Sequence, residues 1–262
     1  MDEILVLGGT GTIGRRVAAL LGPRARVASR RGPVTFDWAD PGTWEPAVGP
    51  ARAVFVLAPD GVAVPAEFVR CAVDAKVERI VLLSSRAIDV MGDTRLLDAE
   101  DVVRGSGVPF TIVRADWLDQ NFDEGFLRDA VGAGVVTVPL GDVRQAFVDA
   151  GDVAAVAVAA LTGEGHAGQT YEVSGPRALS FGEAVGLISD TLVYRGGDAD
   201  YRAAMTSFGV PAEQVEAELR AFGALRASGD GSVTDVVRRV VGRPARDFAD
   251  YAASAFHGQQ GA

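Results

Sequence analysis

The stretch Ile4–Leu21, ILVLGGTGTIGRRVAALL, decides the fold. Ile4, Leu5, Val6 and Leu7 form an unbroken apolar run, the pattern of a strand buried on both faces. The run breaks into Gly8, Gly9, Thr10, Gly11, Thr12, Ile13 and Gly14, and apolar residues return at helical spacing as Ile13, Val17, Leu20 and Leu21. This is a strand, a glycine turn and a helix. A turn this tight needs positive φ or a missing Cβ at several positions, and the helix it opens presents free N–H groups and a positive dipole end. A pyrophosphate fits there. Gly8, Gly11 and Gly14 read G-x-x-G-x-x-G, a spacing variant of the dinucleotide fingerprint, so Gly8, Thr10, Gly11, Thr12, Ile13 and Gly14 are the expected phosphate cradle.

Outward from this unit, short apolar strands keep alternating with helical segments. Strands are expected at Arg26–Ser29, Val34–Asp37, Ala53–Ala58, Arg79–Ser84 and Pro109–Val113, with helices between them, among them Thr94–Arg104 ended by Gly105 and Gly107. Apolar strands separated by helices imply a parallel sheet covered on both faces. After Arg114 the pattern loosens. Asp119–Ala133 reads as a helix, Val135–Val138 and Gln145–Val148 as short strands, Asp152–Leu161 as an apolar helix and Gln169–Val173 as one more strand. Ser180 with Glu183 forms a capping box for a helix to about Leu192, and the tail is helical at Pro211–Phe222 and at Val233–Val241, capped by Ser232. The expected fold class is α/β, a Rossmann-type doubly wound parallel sheet with a smaller, mainly helical C-terminal substrate lobe. Residues 1–150, supplemented by 151–175, are expected to form the dinucleotide-binding domain, and 176–262 a smaller lobe that caps the substrate.

Composition excludes several functions. The chain has 262 residues, long enough for a substantial core, and a formal charge of −10 with Lys76 as its one lysine. That balance argues against nucleic acid as a partner. Cys71 is alone and His166 and His257 are far apart, so no disulfide framework and no metal site are expected. The first apolar run is too short for a signal peptide and no stretch approaches membrane-spanning length, so a cytoplasmic protein without a membrane partner is expected.

The end of the second strand chooses the dinucleotide. An NAD site carries an acid there for the ribose hydroxyl, whereas a 2′-phosphate needs a cation. Here the strand ends in Ser29, Arg30 and Arg31. Two guanidinium groups in an acidic chain favour phosphate, and NADP(H) is the expected cofactor. Asp37 and Trp38, after the third strand, would sit over the adenine. Ala58 and Pro59, after the fourth, would line the path toward the nicotinamide.

GGTGTIG, FDWADPGTW, VLLSSRA, SGVPFTIVRADWLDQNF, FVDAGDVAAVAVAAL, YEVSGPRALSFGEA and VVGRPARDF, in this order, resemble the NmrA-like branch of the atypical short-chain dehydrogenase/reductases. Within it the chain is most similar to the group containing the ergot-alkaloid iminium reductases and their bacterial relatives. The resemblance implies a Rossmann domain, NADP(H), and a nicotinamide between Ala58-Pro59, Ser84-Ser85 and the loop Ala115–Trp117. The family includes reductases of small aromatic or quinone-like substrates and redox sensors that bind the dinucleotide without turning it over.

The usual acid of the superfamily is missing. No tyrosine among Tyr171, Tyr194, Tyr201 and Tyr251 is followed by the lysine of Tyr-x-x-x-Lys. The position of a family lysine one turn before Glu100 is Leu96, and the Ser or Thr expected after the fifth-strand serines is Arg86. Ser85, Asp116, Tyr194 or an ordered water would have to replace the acid, with Ser85 and Asp116 the catalytic candidates. Arg86, Trp117, Asn121 and Phe122 are the expected substrate contacts. The function so implied is hydride transfer from NADPH to an electron-poor small molecule, a quinone-type ketone or an iminium from aromatic secondary metabolism, by a monomer or homodimer. The alternative is a non-catalytic NADP(H)-binding sensor. A roomy apolar pocket facing the nicotinamide separates the two.

Overall fold

The alternation read from the sequence closes into one twisted layer in a computed structural model that describes residues 3–257. The ends of the expected segments, residues 1–2 and 258–262, lie outside the described residues. In chain order the first elements are β1 (Ile4–Leu7), α1 (Thr12–Leu21), β2 (Ala25–Ser29), β3 (Val34–Thr35), α2 (Trp44–Val48), β4 (Ala53–Val56) and α3 (Ala66–Asp74). They are followed by β5 (Arg79–Ser85), α4 (Ile88–Met91), α5 (Thr94–Arg104), β6 (Phe110–Ala115), α6 (Arg128–Gly132) and β7 (Val135–Thr137). The rest comprises α7 (Ala150–Thr162), β8 (Gln169–Val173), α8 (Phe181–Ile188), β9 (Val193–Arg195), α9 (Asp198–Ser207), α10 (Ala212–Ala227), α11 (Val236–Val241) and α12 (Phe248–Ala252).

Seven strands form a sheet in the order β3-β2-β1-β4-β5-β6-β8, every neighbouring pair parallel. The winding reverses between β1 and β4, and such a switch point opens a crevice at the carboxyl ends of the strands. The strand period of two divides the core. Ile4, Val6, Ala53, Phe55, Val81 and Val113 face one layer, with Val17 of α1, Val156 of α7 and Val237 of α11. Leu5, Leu7, Val54, Val56, Leu82 and Ile112 face the other, with Ala47 of α2, Phe68 of α3 and Val103 of α5. Each fully buried side chain of this size contributes about 1.5–3 kcal/mol. The uninterrupted apolar strands are therefore the imprint of two covered faces.

A separate apolar cluster joins Phe122, Val136, Phe147, Phe181, Val185, Phe248 and Tyr251. The parallel pair β7–β9 borders it. The region after Arg114 departs from the sequence reading in several places. Asp119–Ala133 is a 3-10 turn at Asp119–Asn121 and a short α6, because Asp119 N–H donates to Val148 O at 2.9 Å and Gln120 clasps the start of α7. Gln120 Nε2 donates to Asp149 at 2.9 Å, and its Oε1 accepts Ala150 N–H at 2.7 Å. Gln145–Val148 makes only isolated bridges, to Leu118 and Leu179. The strand β9 and the helices α9 and α12 were not foreseen. Ser232 does not cap α11, which starts at Val236 behind Asp235; its hydroxyl and carbonyl bind Arg86 instead.

Candidate active site

At the switch point the glycine turn is built by close approach. A Cβ on Gly14 would stand 2.2 Å from Gly8 O, so α1 packs on the turn only with glycine there. Gly8 has φ +63°, the left-handed region that favours glycine. Gly11 is different. Its N–H donates to Gly8 O at 2.9 Å, and its own missing Cβ would meet only Gly8 O at 3.3 Å, the outer side being open. No side chain caps α1 and its first turn holds no acid, so its free N–H groups and positive end face outward. This cradle fits a pyrophosphate.

β2 brings Ser29, Arg30 and Arg31 to the same edge, Ala28 pairing with Leu7. Arg30 and Arg31 are exposed and take part in no ion pair among the described residues. Asp37 and Trp38 build the neighbouring wall. The Asp37 carbonyl accepts the Trp44 indole N–H at 2.9 Å, its carboxylate accepts Ala39 N–H at 3.0 Å, and Trp38 stands edge-on to Phe36 and Phe68. None of Ser29, Arg30, Arg31, Asp37 and Trp38 lines the cleft at the ends of β4, β5 and β6.

That cleft has a volume of about 860 Å³. Ile13, Ala58, Ser84, Ser85 and Ala115 line its sheet side, and Met91, Trp117, Asn121, Phe126 and Leu225 its far side. Thus the cleft runs from Ile13, in the first turn of α1, along the expected nicotinamide position to an aromatic wall, while Gly8, Thr10, Gly11, Thr12 and Gly14 lie outside its lining. Pro59, exposed beside Ala58, is not part of the lining. Trp117 stacks on Phe222 at 6.4 Å and meets Phe181 edge-on at 5.1 Å. Behind β5, Ser84 donates to the fully buried Glu100 at 2.6 Å, and Glu100 also accepts from Arg114 and Arg104, each at 2.8 Å. Burial alone would lift the Glu100 carboxyl, but the bonds from Arg114, Ser84 and Arg104 hold it below the usual carboxylate range.

Ser85 lines the cleft, its hydroxyl donating to Arg86 O at 3.2 Å. Asp116 lies in the same wall, accepting Trp117 N–H at 2.8 Å and Arg86 at 2.7 Å. Burial pushes its carboxyl up to about 6, the Arg86 charge pulling the other way. Ala87, at φ 56°, turns the chain from β5 into α4, a conformation costing a non-glycine residue about 1–2 kcal/mol.

Arg86 lines the cleft, with its guanidinium engaged by Asp116, by the Ser232 carbonyl at 2.8 Å and hydroxyl at 2.9 Å, and by Glu172 at 3.4 Å. Two expectations need correction. Phe122 is not in the cleft; it is fully buried among Phe147, Phe181 and Phe248. Tyr194 cannot act there, since its hydroxyl donates to Val138 O at 2.8 Å and Gly141 O at 3.1 Å, and burial pushes it up to about 12.

No family model matches the chain. A (4-alkanoyl-5-oxo-2,5-dihydrofuran-3-yl)methyl phosphate reductase of Streptomyces griseus is 36% identical over 279 residues, covering 95% of this chain and 96% of the relative. An NAD(P)H azoreductase of Xenophilus azovorans is 34% identical over 281 residues, with 95% and 96% covered. The chain belongs to the NmrA-like atypical short-chain dehydrogenase/reductases. The fold of this NmrA-like reductase is that of the NADPH-dependent quinone oxidoreductase QOR2 of Escherichia coli in complex with NADPH: the TM-score is 0.78 at 21% identity, over 97% of this chain and 99% of the other.

The NmrA-like chain adds lining that the sequence reading did not assign. Asp89 and Met91 come from α4, Arg95 from α5, Glu172 from β8, and the loop Ser228–Ser232 from the turn between α10 and α11. The glycine-rich SGDGS between two helices was the one visible signal for that loop. The arrangement can hold a flat molecule against the nicotinamide position, between aromatic and polar walls.

Proposed function

We propose that the protein is an NADPH-dependent reductase that transfers a hydride to an electron-poor small molecule, a quinone-type ketone or an iminium of an aromatic compound. The cleft of about 860 Å³ that runs from Ile13, at the start of α1, past Ser84 and Ser85 to Trp117 and Phe126 supports this reading, because a sensor needs no such chamber beside its nicotinamide. NADPH, when bound, supplies the hydride. Gly8–Gly14 hold the pyrophosphate, Arg30 with Arg31 the 2′-phosphate, and Asp37 and Trp38 the adenine side. Ala58, Ser84 and Ser85 flank the nicotinamide path, and Trp117 and Asn121 orient the acceptor, whose placement supplies most of the acceleration. Ser85 and Asp116 are the side chains placed to hold a proton.

Residues 1–175 are read as the cofactor domain and the remainder as the cap. No helix among the described residues is long and apolar enough to cross a membrane. We place the protein in the cytoplasm, as a monomer or homodimer acting on a small molecule. The test is consumption of NADPH with a panel of polycyclic quinones, ketones and iminium ions. Acceptor-dependent loss of reduced-nicotinamide absorbance is expected, and tight NADPH binding with no turnover on any acceptor would favour the sensor.

A further inference from the structure

Ser84 stands at the carboxyl end of β5, paired in register with Arg114 of β6, and both side chains converge on Glu100 of α5. Glu100 is fully buried. Its Oε1 accepts the Ser84 hydroxyl at 2.6 Å and Arg114 Nε at 2.8 Å, and its Oε2 accepts Arg114 and Arg104, each at 2.8 Å. The lone pairs of the carboxylate are thus filled, and the guanidinium groups of Arg114 and Arg104 keep it ionised. It has no proton to give back to Ser84.

This fixes which way the Ser84 hydroxyl points. At 2.6 Å the bond falls in the range of charge-assisted bonds from a hydroxyl to a carboxylate, about twice as strong as neutral ones, and turning the hydrogen elsewhere would leave a buried charge short of a donor. Ser85 contrasts with it, because its hydroxyl lies 3.2 Å from the uncharged Arg86 carbonyl and that bond is readily exchanged. Ser84 nonetheless lines the cleft. What its oxygen has left for a guest is lone pairs, so it receives N–H or O–H groups and rejects a bare carbonyl or carboxylate oxygen.

Ser84 flanks the nicotinamide path of the proposed function, and the carboxamide is the one part of a nicotinamide ring that donates a hydrogen bond. Resting on that reading, we infer that the Ser84 hydroxyl oxygen accepts the carboxamide N–H and makes the cleft selective for the amide over a ring whose substituent cannot donate. Glu100 is a positioning residue here: it acts through Ser84, by keeping the hydroxyl hydrogen out of the cleft. An amide-bearing dinucleotide satisfies Ser84, whereas an isostere without N–H covers the 5%-exposed side chain and leaves its oxygen with no donor from the guest.

The test is calorimetric titration of the full chain with NADP+ and with its 3-acetylpyridine analogue, in which a methyl group replaces the amide NH2 and the ring charge is unchanged. The parent protein is expected to bind NADP+ about tenfold more tightly than the analogue. Ser84→Ala should weaken NADP+ by about that factor and leave the analogue nearly unchanged, so the ratio of the two affinities falls toward one. In Glu100→Gln the side-chain amide can donate to Ser84 and release its hydrogen toward the cleft, where it serves either carbonyl, and the ratio should fall again. A purely structural role would weaken both ligands alike and leave the ratio where it was. Circular dichroism checks that each variant is folded, and the parent comparison stands whether or not Ser84→Ala folds. Equal binding of the two ligands by the parent protein, or a ratio unchanged in folded Ser84→Ala, would overturn the inference; an unchanged ratio in folded Glu100→Gln would overturn the role of Glu100. Acceptor-dependent NADPH oxidation without a preference for the amide would sink the inference and leave the reductase reading standing. A tenfold preference lost in Ser84→Ala, without NADPH oxidation by any acceptor, would do the reverse.

Discussion

Arg86 meets Asp116 at 2.7 Å inside the cleft, where the family pattern leads one to expect a small hydroxyl residue. The pair ties the end of β5 to the end of β6, and through Ser232 it also fixes the loop ahead of α11. Arg86 therefore shapes the pocket through its neighbours.

The pair also sets a pH dependence. Burial raises Asp116 to about 6 and Arg86 opposes that rise, so the protonated form is present at and below that pH and lost above it. With a neutral quinone acceptor, kcat/KM should fall as pH rises through about 6, and Asp116→Asn should flatten the profile. Arg86→Ala should move the inflection upward, because it removes the charge that pulls the carboxyl down. An identical profile in Asp116→Asn would exclude Asp116 as the proton source.

On the proposed function, cofactor choice rests on Arg30. A charge-assisted bond to the 2′-phosphate is worth roughly 1.5–3 kcal/mol, so Arg30→Ala should weaken NADPH by about 10–150-fold and leave NADH nearly unchanged. Calorimetric titration reads both. Equal affinity of the parent protein for NADPH and NADH would contradict the assignment.

Two glycines of the turn should respond differently. Gly11 keeps an extended conformation, φ −81°, and a Cβ there would meet only Gly8 O, at 3.3 Å, so Gly11→Val should fold and lose dinucleotide binding to steric exclusion. Gly14→Ala places a Cβ 2.2 Å from Gly8 O and should lower the melting temperature as well. Retained tight NADPH binding by a folded Gly11→Val variant would move the pyrophosphate elsewhere.

Asp119 is fully buried, neither carboxylate oxygen has a hydrogen-bond partner, and burial, then Asp149, raise it well above the usual carboxylate range. An acid whose pKa is raised by folding favours the native state below its unfolded pKa, and that contribution is lost as pH rises toward the folded value. Asp119→Asn should therefore stabilise the protein near pH 8, by about 1–3 kcal/mol, and much less near pH 4. Denaturant titrations at the two pH values check this, and an equal effect at both would refute it.

How much was legible follows from where the contacts lie in the chain. The β1 turn and α1 are local, so Gly8, Gly11, Gly14 and the apolar alternation announce them. The place of Arg30 and Arg31, exposed at the end of β2 beside the glycine turn, was readable because β2 follows α1 directly and pairs with β1. The cap was not. Arg86 with Ser232 is a contact across 146 positions, Arg16 with Glu124 across 108, and no periodicity encodes either. Phe122 was misplaced for a related reason: an aromatic in the first turn after a strand looks the same whether it faces a cleft or the Phe147–Phe181–Phe248 core. Gln120, an ordinary polar residue in sequence, broke the expected helix by binding the start of α7.

Hydride transfer itself is most directly tested with NADPH carrying deuterium at both C4 positions of the nicotinamide. The protein is incubated with this label and an electron-poor aromatic acceptor, quinone or iminium, and the product is read by mass spectrometry. One deuterium on the reduced acceptor, absent when Gly11→Val replaces the parent protein, is the predicted result. No label in any acceptor, despite tight NADPH binding, would contradict the reductase and leave a dinucleotide-binding regulator in its place.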